Sequence, residues 1–447
     1  MPMTEWLAEH AWLGIDDKVE RDVLIRVEEG RVTSIAAGVD RPPSTAHRLT
    51  GLVIPGLANA HSHCFHRALR GRTNSDGGTF WTWREAMYGV AARLNPETYH
   101  ALAKATFAEM ALAGVTSVGE FHYVHHAAHG REYSDRNAMG EALIAAANEI
   151  GIRMTLLDTC YLTGGFGSPL DEVQQRFSDG DAQRWVERVS DLRPQAQIHI
   201  GAAIHSVRAV PADQMTLVAR WADVHQTPLH VHLSEQRAEN DACASVHGCT
   251  PTQLLDEAGA LGDHTTAIHG THCGPADITL LQAARCGLCM CPTTERDLGD
   301  GIGPAHDAAR AGVNVSVGSD GHSVIDLFEE ARAMELDERL RVESRGHWTP
   351  AALLRAATGG GQAALGWAEA GRMTTGGLAD FIAIDLETPR LAGADPGHLL
   401  EAVAYAAAAA DVYEVVVGGR VIVSNRHHRS VQNVPDALRR AIAAVTT

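Results

Sequence analysis

The spacing of hydrophobic residues divides the chain into three stretches. Both ends carry short β-branched runs, such as residues 23–27 and 413–417, which are separated by Gly, Asp and Pro turns and therefore indicate strands. Between them, short apolar runs alternate with helical segments of about 10–15 residues, the pattern of βα units around a parallel sheet. The middle of the chain therefore predicts an α/β fold, and the two ends predict β structure.

The apolar runs of the middle stretch number eight. Their starts are placed near Leu57, Val115, Ile152, Gln197, Pro228, His264, Gly287 and Val313. Eight βα units predict a closed (β/α)8 TIM-like barrel, which we place over residues 56–368. The terminal segments, residues 1–55 and 369–447, are too short to bury themselves separately. We expect them to combine into one small sheet module beside the barrel, with a helix at the end of the chain.

Polar residues gather where several of these strands end. The first strand ends in His61 and His63, and side chains two residues apart point to the same face of a strand. The fifth strand ends near His232, and Glu235 can join the same site only if the chain turns after Leu233. The sixth strand ends in His269, and the eighth ends in Asp320.

Buried parallel strands are usually apolar throughout, so polar ends are costly unless they bind something. Any one of these histidines alone is more often a partly buried core or surface residue. Several strands that deliver His and Asp to one end of a barrel instead indicate an active site. Neutral imidazoles with one carboxylate suit one divalent ion, most readily zinc, although iron(II) is also compatible. Such an ion makes hydroxide available at neutral pH, which predicts a hydrolytic reaction.

Charge and composition narrow the function classes. The chain has 37 basic and 55 acidic residues and a formal charge of −18, which argues against nucleic acid or an anionic membrane as its partner. No apolar run is long enough to predict a membrane span, and no leader pattern opens the chain. The eight cysteines are scattered and fit reduced, buried thiols. We therefore expect a cytoplasmic protein that acts on a small molecule.

A family resemblance rests on stretches that lie along the whole chain. They are His61-Ser-His-Cys-Phe-His-Arg67, Phe80-Trp-Thr-Trp-Arg-Glu85, Glu120-Phe-His-Tyr-Val-His-His126, His205-Ser-Val-Arg208, His232-Leu-Ser-Glu-Gln236 and Gly318-Ser-Asp320. With these motifs the chain resembles the amidohydrolase superfamily, in particular its deaminase branch. The second and third stretches are more particular and are similar to those of the formimidoylglutamate deiminases.

The resemblance implies a fold and a set of site residues. The terminal β segments would form the small β-sandwich domain of the superfamily. One zinc ion would be bound by His61, His63, His232 and Asp320. The catalytic residues that transfer protons would be Glu235, His269 and Asp320. The two carboxylates of the substrate would be held by Arg84, Tyr123, His205 and Arg208.

One position departs from the family pattern. The family has Gln where this chain has His66, at the mouth of the predicted barrel. We expect His66 to contact the substrate. Unlike a Gln amide, an imidazole gains charge below about pH 6.5 unless its surroundings shift the pKa.

The reaction implied by the resemblance is the hydrolysis of N-formimino-L-glutamate to N-formyl-L-glutamate and ammonia, a step of histidine degradation. This agrees with the charge of the chain, because a dicarboxylate that approaches an acidic protein needs local guanidinium and imidazole donors. Two alternatives stay open: a zinc deaminase that acts on a purine, pterin or triazine ring, and a noncatalytic binding protein on the same barrel. A homodimer is the expected assembly.

Overall fold

The computed structural model describes residues 3–74 and 80–446. Within this part of the chain the strands are β1 Thr4–Trp12, β2 Val19–Glu28, β3 Arg31–Ala36, β4 His47–Pro55, β5 Leu57–Ser62, β6 Val115–His122, β7 Arg153–Cys160, β8 Ile198–Ser206, β9 Leu229–Leu233, β10 Thr265–His269, β11 Gly287–Met290, β12 Asn314–Val317, β13 Phe381–Ile384, β14 Val412–Val417, β15 Arg420–Ser424 and β16 His427–His428.

The α-helices of the same residues are α1 Phe80–Ala91, α2 Pro96–Leu112, α3 Ala138–Ile150, α4 Ala182–Val189, α5 Ala212–His225, α6 Arg237–His247, α7 Pro251–Glu257, α8 Pro275–Ala283, α9 Pro292–Leu298, α10 Ala305–Ala311, α11 Leu327–Val342, α12 Pro350–Arg355, α13 Gly361–Ala364, α14 Leu399–Ala406 and α15 Val434–Thr446. Short 3-10 segments lie at Cys64–Leu69, Ala128–Gly130, Gln174–Phe177 and Ala409–Asp411, and a π-helical turn lies at Ala356–Gly360. Among the helices described here, none has the length and apolar character that crossing a membrane requires.

Strands β5 to β12 form a parallel sheet in chain order, which the predicted barrel requires. Each begins at the residue expected from the apolar runs or one residue later. The sheet is closed by a parallel bridge between Ser62, at the end of β5, and Asp320, just after β12. Asp320 N donates to His61 O at 3.0 Å, and His63 N donates to Asp320 O at 3.3 Å. The barrel class is confirmed, and its seam lies at the site residues.

The seam needs a glycine. Gly318 follows β12, and a Cβ at this position would lie 2.7 Å from His61 N and 2.8 Å from His61 Cβ. Real side chains do not approach backbone atoms this closely. Only a residue without a side chain lets the last strand come near enough to the first for the bridge to form.

The terminal segments form a second sheet, which is mixed. Its order is β16-β15-β14-β13-β4-β1-β2-β3, so β4 of the N-terminal segment pairs with β13 of the C-terminal segment. A buried ion pair joins this sheet to the barrel: Arg153, at the start of β7, donates from Nε to Asp380 Oδ2 at 2.6 Å. The expectation of one β module built from both ends is confirmed. The boundaries placed at residues 55, 56, 368 and 369 stay a prediction.

Candidate active site

Ligand atoms from four side chains converge at the C-terminal mouth of the barrel. His61 and His63 lie at the end of β5 and just after it, His232 lies on β9, and Asp320 follows β12. His61 Nε2 lies 3.2 Å from His232 Nε2 and 3.1 Å from Asp320 Oδ1. His63 Nε2 lies 3.4 Å from each of the same two atoms. His269, the last residue of β10, adds an Nε2 atom 4.0 Å from Asp320 Oδ2.

The protons on two of these imidazoles are fixed by the backbone. His63 Nδ1 donates to Phe121 O at 2.9 Å, and His232 Nδ1 donates to His205 O at 2.8 Å. Burial lowers the pKa of both rings, so each keeps a single proton, on Nδ1. Their Nε2 lone pairs therefore face each other. Facing lone pairs repel unless a cation lies between them, and the donor set of three imidazoles and one carboxylate fits zinc.

The backbone is left-handed at three positions beside or within the site. The φ angle is +50° at Ser234, +68° at His269 and +38° at Asp320. The turn at Ser234 ends β9 after Leu233, as the placement of Glu235 in the site requires. Non-glycine residues with positive φ are uncommon and cluster at functional sites, so this strain agrees with an active site here.

Three carboxylates lie around the imidazole of His269. Its Nε2 lies 4.0 Å from Glu235 Oε1, and its Nδ1 lies 3.4 Å from Glu295 Oε1, which also accepts from Cys291 N at 2.9 Å. Burial opposes a charge on His269, but Glu235, Glu295 and Asp320 together raise its pKa well above 6.5. Burial also raises the pKa of Glu235, against the influence of His269. The pKa of both groups is therefore raised, so each keeps its proton to a higher pH than the isolated side chain does, as a proton donor requires.

A cavity opens beside the predicted metal donors. Its wall includes all five residues expected to contact the substrate, which are His66, Arg84, Tyr123, His205 and Arg208. Trp83 also lines it, while the side chain of Trp81 lies outside the described part of the chain. The structure thus brings the expected metal, catalytic and substrate residues to one place, and their individual roles stay predictions.

Protein contacts orient the predicted substrate residues. His66 Nε2 lies 3.1 Å from Tyr123 Oη, and the rings of Tyr123 and His205 lie 5.6 Å apart at nearly right angles. Arg208 Nε donates to Glu239 Oε2 at 3.0 Å. Burial lowers the pKa of His66 well below 6.5, so this imidazole stays neutral where the isolated side chain would begin to gain charge. The surroundings of His66 thus shift its pKa in the direction that disfavours a charge in mildly acidic solution.

Several residues of the site were missed in the sequence. Tyr88 and Tyr161 line the cavity, Gln174 lies behind them, and Glu295 contacts His269. Tyr161 directly follows the last residue of β7, so the rule that barrel sites lie at strand ends would have found it. Gln174 lies in a 3-10 segment between elements, and no spacing in the sequence distinguishes it.

The fold and the site define the class of this protein. The chain belongs to the amidohydrolase family, whose model matches residues 52–422. It is 37% identical over 398 residues to the formimidoylglutamate deiminase of Pseudomonas aeruginosa, an alignment that covers 86% of this chain and 87% of that protein. It is 31% identical to a 5-methylthioadenosine/S-adenosylhomocysteine deaminase of Natronomonas pharaonis, over 92% of this chain and 90% of that protein.

Among solved structures, an amidohydrolase from Brucella melitensis superposes with a TM-score of 0.91 at 30% identity. The superposition covers 99% of this chain and all of the other. The resemblance drawn from the motifs is confirmed by these matches. The protein is a hydrolase that acts on carbon–nitrogen bonds.

Proposed function

We propose that the protein hydrolyses N-formimino-L-glutamate to N-formyl-L-glutamate and ammonia. The observation that carries the proposal is that Arg84 and Arg208 line the same cavity as the metal donors. A chain with a formal charge of −18 repels a dianion overall, so two guanidinium groups in one cavity favour a dicarboxylate ligand. The similarity to a formimidoylglutamate deiminase supports the same substrate.

We assign one divalent ion to His61, His63, His232 and Asp320, with zinc first and iron(II) second. When bound, the ion would act as a Lewis acid that makes hydroxide available from water near neutral pH. The two carbonyls that accept from His63 and His232 hold those rings in the orientation that binding needs. The protein therefore supplies the donors in a preset arrangement.

The remaining chemistry is assigned to three side chains. Asp320 accepts a proton from the attacking water through Oδ2, which lies 4.0 Å from His269 Nε2. His269 donates toward the attacking oxygen and stabilises the charge that develops there. Glu235, whose burial raises its pKa, gives one proton to the formimino nitrogen, and the proton held by Asp320 completes ammonia as the C–N bond breaks. The hydroxyl proton of the adduct returns to Glu235 as the formyl C=O forms. One water is consumed and the formyl amide remains.

A second candidate is a deaminase that acts on an aromatic ring. The cavity is lined by Trp83, Tyr88, Tyr123, Tyr161 and Phe177, which would also suit a planar heterocycle. The similarity to a methylthioadenosine deaminase supports this alternative. The two candidates differ in whether the arginines bind carboxylates.

Ammonia release separates the candidates. The zinc-loaded protein is assayed with N-formimino-L-glutamate, 5′-methylthioadenosine and guanine at equal concentration. We expect release from the first substrate alone. His232→Ala is the matched variant, and it should lose both zinc and activity because one of four ligands is gone. Release only from a ring substrate would contradict the proposal, and full zinc content in His232→Ala would contradict the ligand assignment.

A further inference from the structure

Gln174 lies between two tyrosine hydroxyls of the cavity wall. Its Nε2 donates to Tyr88 Oη and to Tyr161 Oη, each at 2.9 Å. Its Oε1 accepts from Asp171 N at 2.8 Å, so the amide can have only one orientation, with the NH₂ group toward the phenols. Gln174 is buried, at 1% exposure. Both hydrogens of the amide are therefore used by the two phenol oxygens.

The direction of these hydrogen bonds decides where the phenol protons point. Each phenol oxygen accepts from Gln174, and Tyr88 Oη also accepts from Arg84 Nε at 2.8 Å. Neither phenol can donate to Gln174 or to Arg84, because both present N–H groups. If the two tyrosines hydrogen-bond to each other, one of them donates its O–H to the oxygen of the other, and this uses only one of the two O–H groups. At least one O–H therefore remains for a partner outside this cluster.

This partner would lie in the cavity, which the cluster faces. Tyr88 and Tyr161 both line it, together with Arg84, His205 and Arg208. Burial raises the pKa of Tyr161, so this phenol keeps its proton throughout the neutral range. A neutral O–H donor beside two guanidinium groups matches a carboxylate oxygen, since a carboxylate accepts only.

We propose that the phenol pair of Tyr88 and Tyr161 donates an O–H hydrogen bond to one carboxylate of the substrate. Gln174 is the positioning residue. Because both phenol oxygens accept from its amide, a phenol O–H must point away from Gln174, toward the cavity. This rests on the proposed function in one respect, that the ligand carries carboxylates. The pair selects dicarboxylates over neutral heterocycles of similar size.

Binding is measured by titration calorimetry on the zinc-loaded protein, so that it does not depend on turnover. The ligands are N-formyl-L-glutamate, N-formyl-L-glutamine and N-formyl-4-aminobutyrate, the last two of which each lack one carboxylate. The variants are Tyr88→Phe, Tyr161→Phe, the double variant and Gln174→Met. Tyr405→Phe is the control, because it removes a phenol hydroxyl that contacts Arg339 and does not line the cavity.

We expect the double variant to bind N-formyl-L-glutamate about 10- to 100-fold more weakly than the parent, the scale of one hydrogen bond to a charged group. For one of the two monocarboxylates, the affinity of the double variant should be less than about 2-fold below that of the parent. The carboxylate missing from that ligand is the one that the phenols bind. Gln174→Met should raise KM for N-formimino-L-glutamate with kcat nearly unchanged. It should have no further effect on KM in the double variant, because the residues act as one unit.

Equal affinity of the parent and the double variant would overturn the inference, and so would equal weakening for all three ligands, which would indicate a general change of shape. If the parent hydrolyses N-formimino-L-glutamate while the affinities do not change, the inference fails and the proposed function stands. If the parent neither hydrolyses that substrate nor binds N-formyl-L-glutamate, the proposed function fails and the inference fails with it.

Discussion

Substitution of Gly318 by Ala tests whether the seam of the barrel holds the metal ligands in place. The added Cβ would lie 2.8 Å from His61 Cβ, whereas ordinary contacts begin at 3.4 Å. The two strands must therefore move apart by about 0.6 Å, the difference between these distances, because packed interiors have no slack to absorb it. Binding sites must hold their ligands to within about 0.5 Å, so His61 would leave its working position although its own side chain is unchanged.

The expected size of the effect follows from the same contact. Overpacking of this kind costs about 1–3 kcal/mol. With an unfolding entropy of about 2.1 cal/mol/K for each of 447 residues, Tm should fall by only about 1–3 °C. Displacement of an oriented ligand typically lowers metal affinity by about 10- to 100-fold, which makes affinity the more sensitive measurement. Zinc affinity is measured by competition with a chelator, and zinc content by elemental analysis.

Gly262→Ala is the matched control, because a Cβ there meets only Thr265 Oγ1 at 4.0 Å. We expect this variant to keep the Tm and the zinc affinity of the parent. If Gly318→Ala binds zinc as tightly as Gly262→Ala, the seam does not set the position of His61, and the reasoning from the close approach is wrong.

Three further predictions concern catalysis, pH and stability. Glu235→Gln should keep its zinc while kcat falls by about two to four orders of magnitude, and nearly normal turnover would remove Glu235 from the reaction. Because burial lowers the pKa of His66, the kcat/KM profiles of the parent and His66→Gln should have the same shape between pH 6 and 8, and a rise confined to the parent below pH 7 would show that the imidazole gains charge. Asp158→Asn should lower Tm by about 3–5 °C, since breaking a buried ion pair costs about 3–5 kcal/mol and Arg188 holds this carboxylate with two hydrogen bonds. Burial alone would raise the pKa of Asp158, but Arg188 lowers it to about 2. This pKa lies below that of the unfolded chain, so the stabilisation is present above about pH 4 and is lost only as pH falls toward 2. The difference in Tm from the parent should therefore stay constant from pH 7 to 4, and a narrowing near pH 6 would contradict the assignment.

The barrel could be predicted because its strands are marked by local composition. Each contains a short apolar run, several end in a polar residue, and eight such runs leave few alternatives to a closed sheet. His61, His232, His269 and Asp320 could be assembled in advance for the same reason, since strand ends meet at one face. The spacing therefore predicted that these side chains meet at the barrel mouth, whereas their separate roles were implied by the family resemblance and stay predictions.

Other features depend on contacts between distant segments, which no local pattern contains. The pairing of β4 with β13 joins two short strands that resemble the other terminal runs. Glu295 contacts His269 only because the chain turns into α9 after β11. The pKa of His66 could not be read from its position in the sequence, because its burial depends on neighbouring rings such as those of His63 and Trp83.

The pairing of β4 with β13 also constrains the order of events during synthesis. β1 to β4 leave the ribosome first, but the free edge of β4 meets its partner only after the complete barrel has been made. Until then its unpaired N–H and C=O groups are open to other chains, and such edges are sites of aggregation. Pairing of β4 with β13 can therefore follow only after the barrel strands have been synthesised. A nascent chain stalled before residue 381 would be exposed to chaperones at this edge.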